Sequence, residues 1–119
     1  MGVWVRGPAL EQAETVLWRR AANRTQSDRR AVGGRLFLTA SRLLFEPNRL
    51  DAVTGGESWS TPLASIRSVG VEARDGNPLS GGLRARLRLD LVGGDAELFV
   101  VNHVGDVVDV IRQAVGQLT

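Results

Sequence analysis

The 119-residue chain has no cysteine. Disulfides, thiolate zinc sites and cysteine nucleophiles are thereby excluded, and the absence fits a cytoplasmic chain. Lysine is missing too, so all fifteen basic side chains are arginine. Arginine never deprotonates in the accessible range. A sequence pI near 10.9 therefore stands beside a net charge of only +2. That small excess of positive charge disfavours a nucleic-acid binder. Arginine throughout, with much alanine, valine and glycine, is the usage expected of a GC-rich bacterial genome.

Long apolar runs are absent as well. No window reaches roughly 18 uninterrupted apolar residues, so no helix is expected to cross a bilayer. The opening "MGVWVRGPALEQA" lacks the apolar core of a secretory leader. Arg6 stands where a myristoylation signal requires serine or threonine. The reading is a cytoplasmic protein, with the membrane periphery as the alternative location. Histidine occurs once, at His103, with no metal-ligand partner at suitable spacing. Ser41, Ser58 and Ser60 lie outside any nucleophile-elbow pattern. No enzyme, cofactor, metal or small-molecule substrate is indicated.

Four Gly-Gly pairs, at 33–34, 55–56, 81–82 and 93–94, punctuate the chain. Glycine accepts positive φ without steric cost, so each pair is read as a turn. Between the pairs the period is that of strands. In "RARLRLDL", Ala85, Leu87, Leu89 and Leu91 alternate with Arg84, Arg86, Arg88 and Asp90. This predicts a half-buried antiparallel strand with an outward arginine ladder. Segment 84–92 forms a hairpin with 96–101, and "SVGVEAR" and "TVLWRRAA" are weaker strands. Segment 23–34 is polar enough to be a loop, and Pro62 ends a short strand around Trp59. Val104, Val107, Val108, Ile111, Val115 and Leu118 recur at helical spacing, with Asn102 as the expected cap.

About seven short strands followed by one helix predict a mainly β fold, an antiparallel barrel or sandwich capped by a C-terminal helix. Residues 1–9 are read as an N-terminal extension and 10–119 as the domain. In the extension, Trp4 with Val3 and Val5 could pack on the domain, add a strand, enter a membrane interface or join a homodimer.

The segments "LEQAETVLWRRA", "GGRLFLTASRLLFEP" and "WSTPLASIRSVGV" resemble the GRAM domain of the pleckstrin-homology-like (PH-like) superfold. Glu14, Gly34, Leu36, Leu38, Thr39, Arg42, Leu44, Phe45, Pro62, Leu63 and Ile66 occupy the family's pattern positions. Ala40 departs from it, standing where asparagine is common in the turn. The resemblance implies a seven-stranded barrel with a C-terminal helix, acting as a binding module for proteins or for anionic lipid head groups.

Arg24, Arg29, Arg30, Arg35 and Arg49 are the candidate anion-binding residues around the first hairpin loop. Guanidinium groups pair bidentately with phosphate oxygens. The plain alternative is a solvated charged loop. The favoured reading is a non-enzymatic module for a protein partner or a second copy. Anionic-lipid binding at those arginines is the alternative, with an enzyme or a nucleic-acid barrel behind both.

Overall fold

The computed structural model describes Pro8, Leu10, Glu11 and residues 13–117. Val3, Trp4, Val5 and Leu118 lie outside the described residues. Strands β1 (Trp18–Ser27), β2 (Arg30–Leu38) and β3 (Arg42–Pro47) lead to a short helix α1 (Arg49–Val53). Strand β4 (Trp59–Pro62) and one 3-10 turn (Leu63–Ser65) lead to β5 (Ile66–Glu72). Strands β6 (Arg86–Leu91) and β7 (Ala96–Val101) and helix α2 (Val104–Gly116) complete the order. The strands form one antiparallel sheet, ordered β4-β3-β2-β1-β7-β6-β5, curled into a half-barrel. The fold expected from the sequence is the fold observed.

Alternation supplies the interior. Leu87 and Leu89 of β6 and Phe99 of β7 have no solvent exposure and meet Leu36, Leu43 and Phe45 from the other half of the sheet. Phe99 packs between two rings, 5.8 Å from Phe45 and 5.5 Å from Trp59. Helix α2 closes the interior with Val107, Val108 and Ile111, the middle of its apolar stripe. From β2 and β3, Leu36, Leu38 and Phe45 face this core. Leu44 is buried on the opposite face, in register with Phe37, and Leu43 takes the inward place.

Several local expectations need correction. Segment 23–34 is not a loop: β1 and β2 pair from Trp18↔Leu38 out to Ser27↔Arg30. Polar residues hold a strand here because β1 lies mid-sheet between β2 and β7, where pairing outweighs composition. Gly33 and Gly34 consequently lie inside β2 and make no turn. A Cβ on Gly34 would stand 2.1 Å from the Glu46 carbonyl oxygen, so glycine serves the close approach of β3. Helix α1 was not foreseen; Asn48 caps it by accepting from the Asp51 amide at 2.8 Å. Helix α2 starts after His103, which adopts φ 54° and makes no side-chain cap, so Asn102 is not the cap.

The arginine ladder also divides. Strand β6 begins at Arg86, leaving Arg84 in the preceding loop. Arg86 is 1% exposed because loop 73–85 folds back over it. Its guanidinium donates to Thr25 Oγ1 (3.1 Å), the Ser80 carbonyl (3.3 Å) and Asp75 Oδ2 (3.0 Å), while its Nε has no partner. Arg88 is the half-exposed member, paired to Glu72 and Asp90.

Candidate functional site

The first hairpin is tight, with a turn at residues 28–29, and its arginines leave it in different directions. Arg24 is in register with Val32 and Phe99, so it shares the inward face of the half-barrel. There its Nε donates to Glu97 Oε1 at 2.9 Å, and its guanidinium lies 5.8 Å from the Trp59 ring centroid. Both partners of this ion pair are largely buried, at 12% and 16% side-chain exposure. Arg30 turns toward α1. It donates to the Thr54 and Asp51 carbonyls and to Thr54 Oγ1, satisfying the carbonyl end of that helix. Asp51 in turn accepts from the Gly33 amide at 2.8 Å, tying α1 to β2.

Arg35 lies on the face opposite Arg24, in register with Ala21 and Glu46. Arg29 is exposed at the turn, and Arg49 is exposed at the start of α1. Arg29, Arg35 and Arg49 have no ion pair among the described residues. The five candidates therefore do not form one fork: Arg24 and Arg30 are engaged internally, Arg35 lies on the face opposite Arg24, and Arg29 and Arg49 are exposed at the turn and at the start of α1.

A second constellation was flagged only through the family pattern. Glu14 accepts from Arg42 at 2.7 and 2.8 Å and from the Thr39 hydroxyl at 2.8 Å. Thr39 Oγ1 also accepts from the Ser41 and Arg42 amides, and the Thr39 amide donates to the Arg42 carbonyl at 3.0 Å. The Thr39 side chain thus closes the β2–β3 turn, which is tight with Ala40 in it. The Arg42 guanidinium, with help from the Glu11 amide and Thr39, holds the Glu14 carboxyl down at about 2. This is a structural lock, and Glu14 and Ser41 also line a surface cavity of about 380 Å³.

Sequence reasoning missed the groove between β5 and α2. It encloses about 360 Å³ and is lined by Ile66, Arg67, Ser68, Val69, Arg112 and Val115, with Gly116 at its end. Arg112 Nε donates to the Val69 carbonyl at 2.9 Å. No local motif marks this site, because its walls are more than forty residues apart.

Among the described residues, no three histidine, aspartate or glutamate side chains gather into a metal-binding group. No helix among them is long and apolar enough to cross a membrane.

No family model matches the chain, and no curated protein matches it. Solved structures do. The linker–DH/PH domains of p115-RhoGEF superpose with a TM-score of 0.67 at 12% identity, over 92% of this chain and 31% of that one. The fold is PH-like. The C-terminal domain of an unknown protein from Leishmania infantum gives a TM-score of 0.64 at 12% identity, covering 86% of this chain and 84% of that one. At such identity the likeness extends to the PH-like fold and not to any ligand.

Proposed function

We propose that this PH-like domain is a non-catalytic binding module of the GRAM kind, recruiting a protein partner or a second copy of itself. The observation that carries this reading is the internal engagement of Arg24 and Arg30. With Arg24 on Glu97 and Arg30 on α1, the first hairpin offers no convergent fork for a phosphate group. The Glu14–Thr39–Arg42 lock supports the GRAM assignment, since it gives those pattern positions one shared physical task. Open backbone at β5 and exposed aliphatics such as Val71, at 51% exposure, suit a protein surface. A cytoplasmic location goes with this role.

One observation favours a second reading. Leu50 and Val53, 67% and 81% exposed, sit three apart on α1 beside Arg49, and Arg30 links α1 to the turn bearing Arg29. Such a tip suits the surface of an anionic membrane. Co-sedimentation with phosphatidylserine and with phosphatidylcholine vesicles separates the two readings. The protein-binding reading expects equal, negligible pelleting with both. Salt-sensitive binding to phosphatidylserine alone, abolished in R29E/R49E, would replace it with the membrane reading.

A further inference from the structure

The two ends of the sheet are finished differently. Strand β4 is an edge of four residues ending at Pro62, which has no amide hydrogen to offer. Short length and proline are the usual ways to blunt an edge. Strand β5 is the other edge, seven residues long, and pairs only with β6. The middle of β5 reads Val69, Gly70, Val71, with no charge and no proline, between Arg67 and Glu72, and the Val69 side chain is buried in the core. A Cβ built on Gly70 would meet nothing within 4 Å, and Val71 is half exposed.

Antiparallel strands alternate residues whose main-chain groups face the neighbour with residues whose groups face away. The Arg112 bond marks the Val69 carbonyl as one that faces away from β6. Val71 has the same phase, two residues on. An incoming extended segment therefore finds donors and acceptors at β-ladder spacing, with α2 as the second wall of the groove.

The groove is also charged in one sense. Arg67 and Arg112 line it and no carboxylate does. Nearby Asp90 is already occupied by Arg88 at 3.0 Å and by the Ser68 hydroxyl at 2.8 Å. Glu72 is likewise taken by Arg88, at 2.9 Å. Arg67 has no ion pair among the described residues, and Arg112 uses only its Nε there.

We infer that the β5–α2 groove binds an extended acidic segment of a partner protein as an added strand beside β5. The inference rests on the protein-binding reading above and gives it a site and a chemistry. Val69 and Val71 supply the main-chain ladder. Arg67 pairs with one carboxylate of the segment. Arg112 releases the Val69 carbonyl to an incoming amide and turns its guanidinium to a second carboxylate, so each hydrogen bond lost is replaced. The apolar side chains Ile66 and Val115 form the floor for the residue between the two acids.

The test is selection of random twelve-residue peptides displayed on phage against the whole chain. Affinity and amide hydrogen exchange are then measured with the synthesised consensus peptide. The expected consensus is rich in aspartate and glutamate, free of proline, and alternates acidic with β-branched residues. Its binding should slow exchange at residues 69–71 and weaken about tenfold in R67E, the scale of one lost charge pair plus repulsion. Arg67 is exposed and makes no hydrogen bond or ion pair among the described residues, so R67E keeps the fold. In V71P the added ladder is blocked, and binding should fall without any change in charge. Selected peptides that are neutral or basic, or that protect another surface, would overturn the groove while leaving a protein-binding module. Failure to select any peptide, together with phosphatidylserine binding, would overturn both.

Discussion

The first hairpin and the β5–α2 groove both bear arginines, but Arg24 and Arg30 at the hairpin are held by internal acceptors, while Arg67 at the groove has no ion pair among the described residues. Around the hairpin, each inward arginine meets an acceptor from a distant segment: Glu97 for Arg24, the end of α1 for Arg30. Arg86, on β6 two strands along from β1, is enclosed by Thr25, Ser80 and Asp75. At the groove, Asp90 is bonded to Arg88 and Ser68 and feels Arg67 only as a longer-range charge, and Glu72 is bonded to Arg88. Density of charge along a sequence therefore says little about the charge a ligand would meet. What decides is which acceptors the fold brings to each guanidinium.

The sharpest way to break this contrast is to remove an engaged arginine. R86A should destabilise the domain by about 2–3 kcal/mol in urea denaturation, since the Ser80 carbonyl and Thr25 hydroxyl lose a buried donor. The cost stays below that of a fully buried pair because Asp75 is 52% exposed and rehydrates. R24A should cost less, about 1–2 kcal/mol, through the unpaired Glu97 and the lost contact with Trp59. If either change leaves the midpoint unmoved, the engaged class has been misassigned.

The Glu14 lock should appear as an acid limb of stability. Its folded pKa, about 2, lies below the ordinary 4.5, so the ionised form is the one favoured by folding. The contribution is complete above pH 4.5 and fades as pH falls toward 2. The melting temperature should therefore drop less between pH 5 and pH 2 in E14Q than in the unaltered chain. Smallest of all, R49A and R67A should each move stability by no more than about 0.5 kcal/mol, as exposed arginines with no ion pair among the described residues do.

Much of the fold was legible because its signals are local. The alternation at Leu87 and Leu89 and the helical stripe of Val107, Val108 and Ile111 need no knowledge of the partner strands. The same alternation could not report that Arg86 is buried, because loop 73–85 covers a face that period alone marks as solvent. Polarity at Asn23, Arg24 and Gln26 suggested a loop, while the pairing of β1 on both sides made it a strand. Gly34 looked like a turn residue, and its cause is the Glu46 carbonyl from β3. The candidate site was less legible still. Arg67 and Arg112 are 45 positions apart and meet only once α2 packs against β5.

The most direct test of the contrast follows the Nε–H signals of all fifteen arginines in ¹⁵N-arginine-labelled protein while the selected acidic peptide is added. Arg67 and Arg112 should shift progressively to saturation, with Arg24, Arg30 and Arg86 fixed throughout. Shifts at Arg24, Arg29 and Arg30 with Arg67 and Arg112 unmoved would place the anion site at the first hairpin and contradict the account.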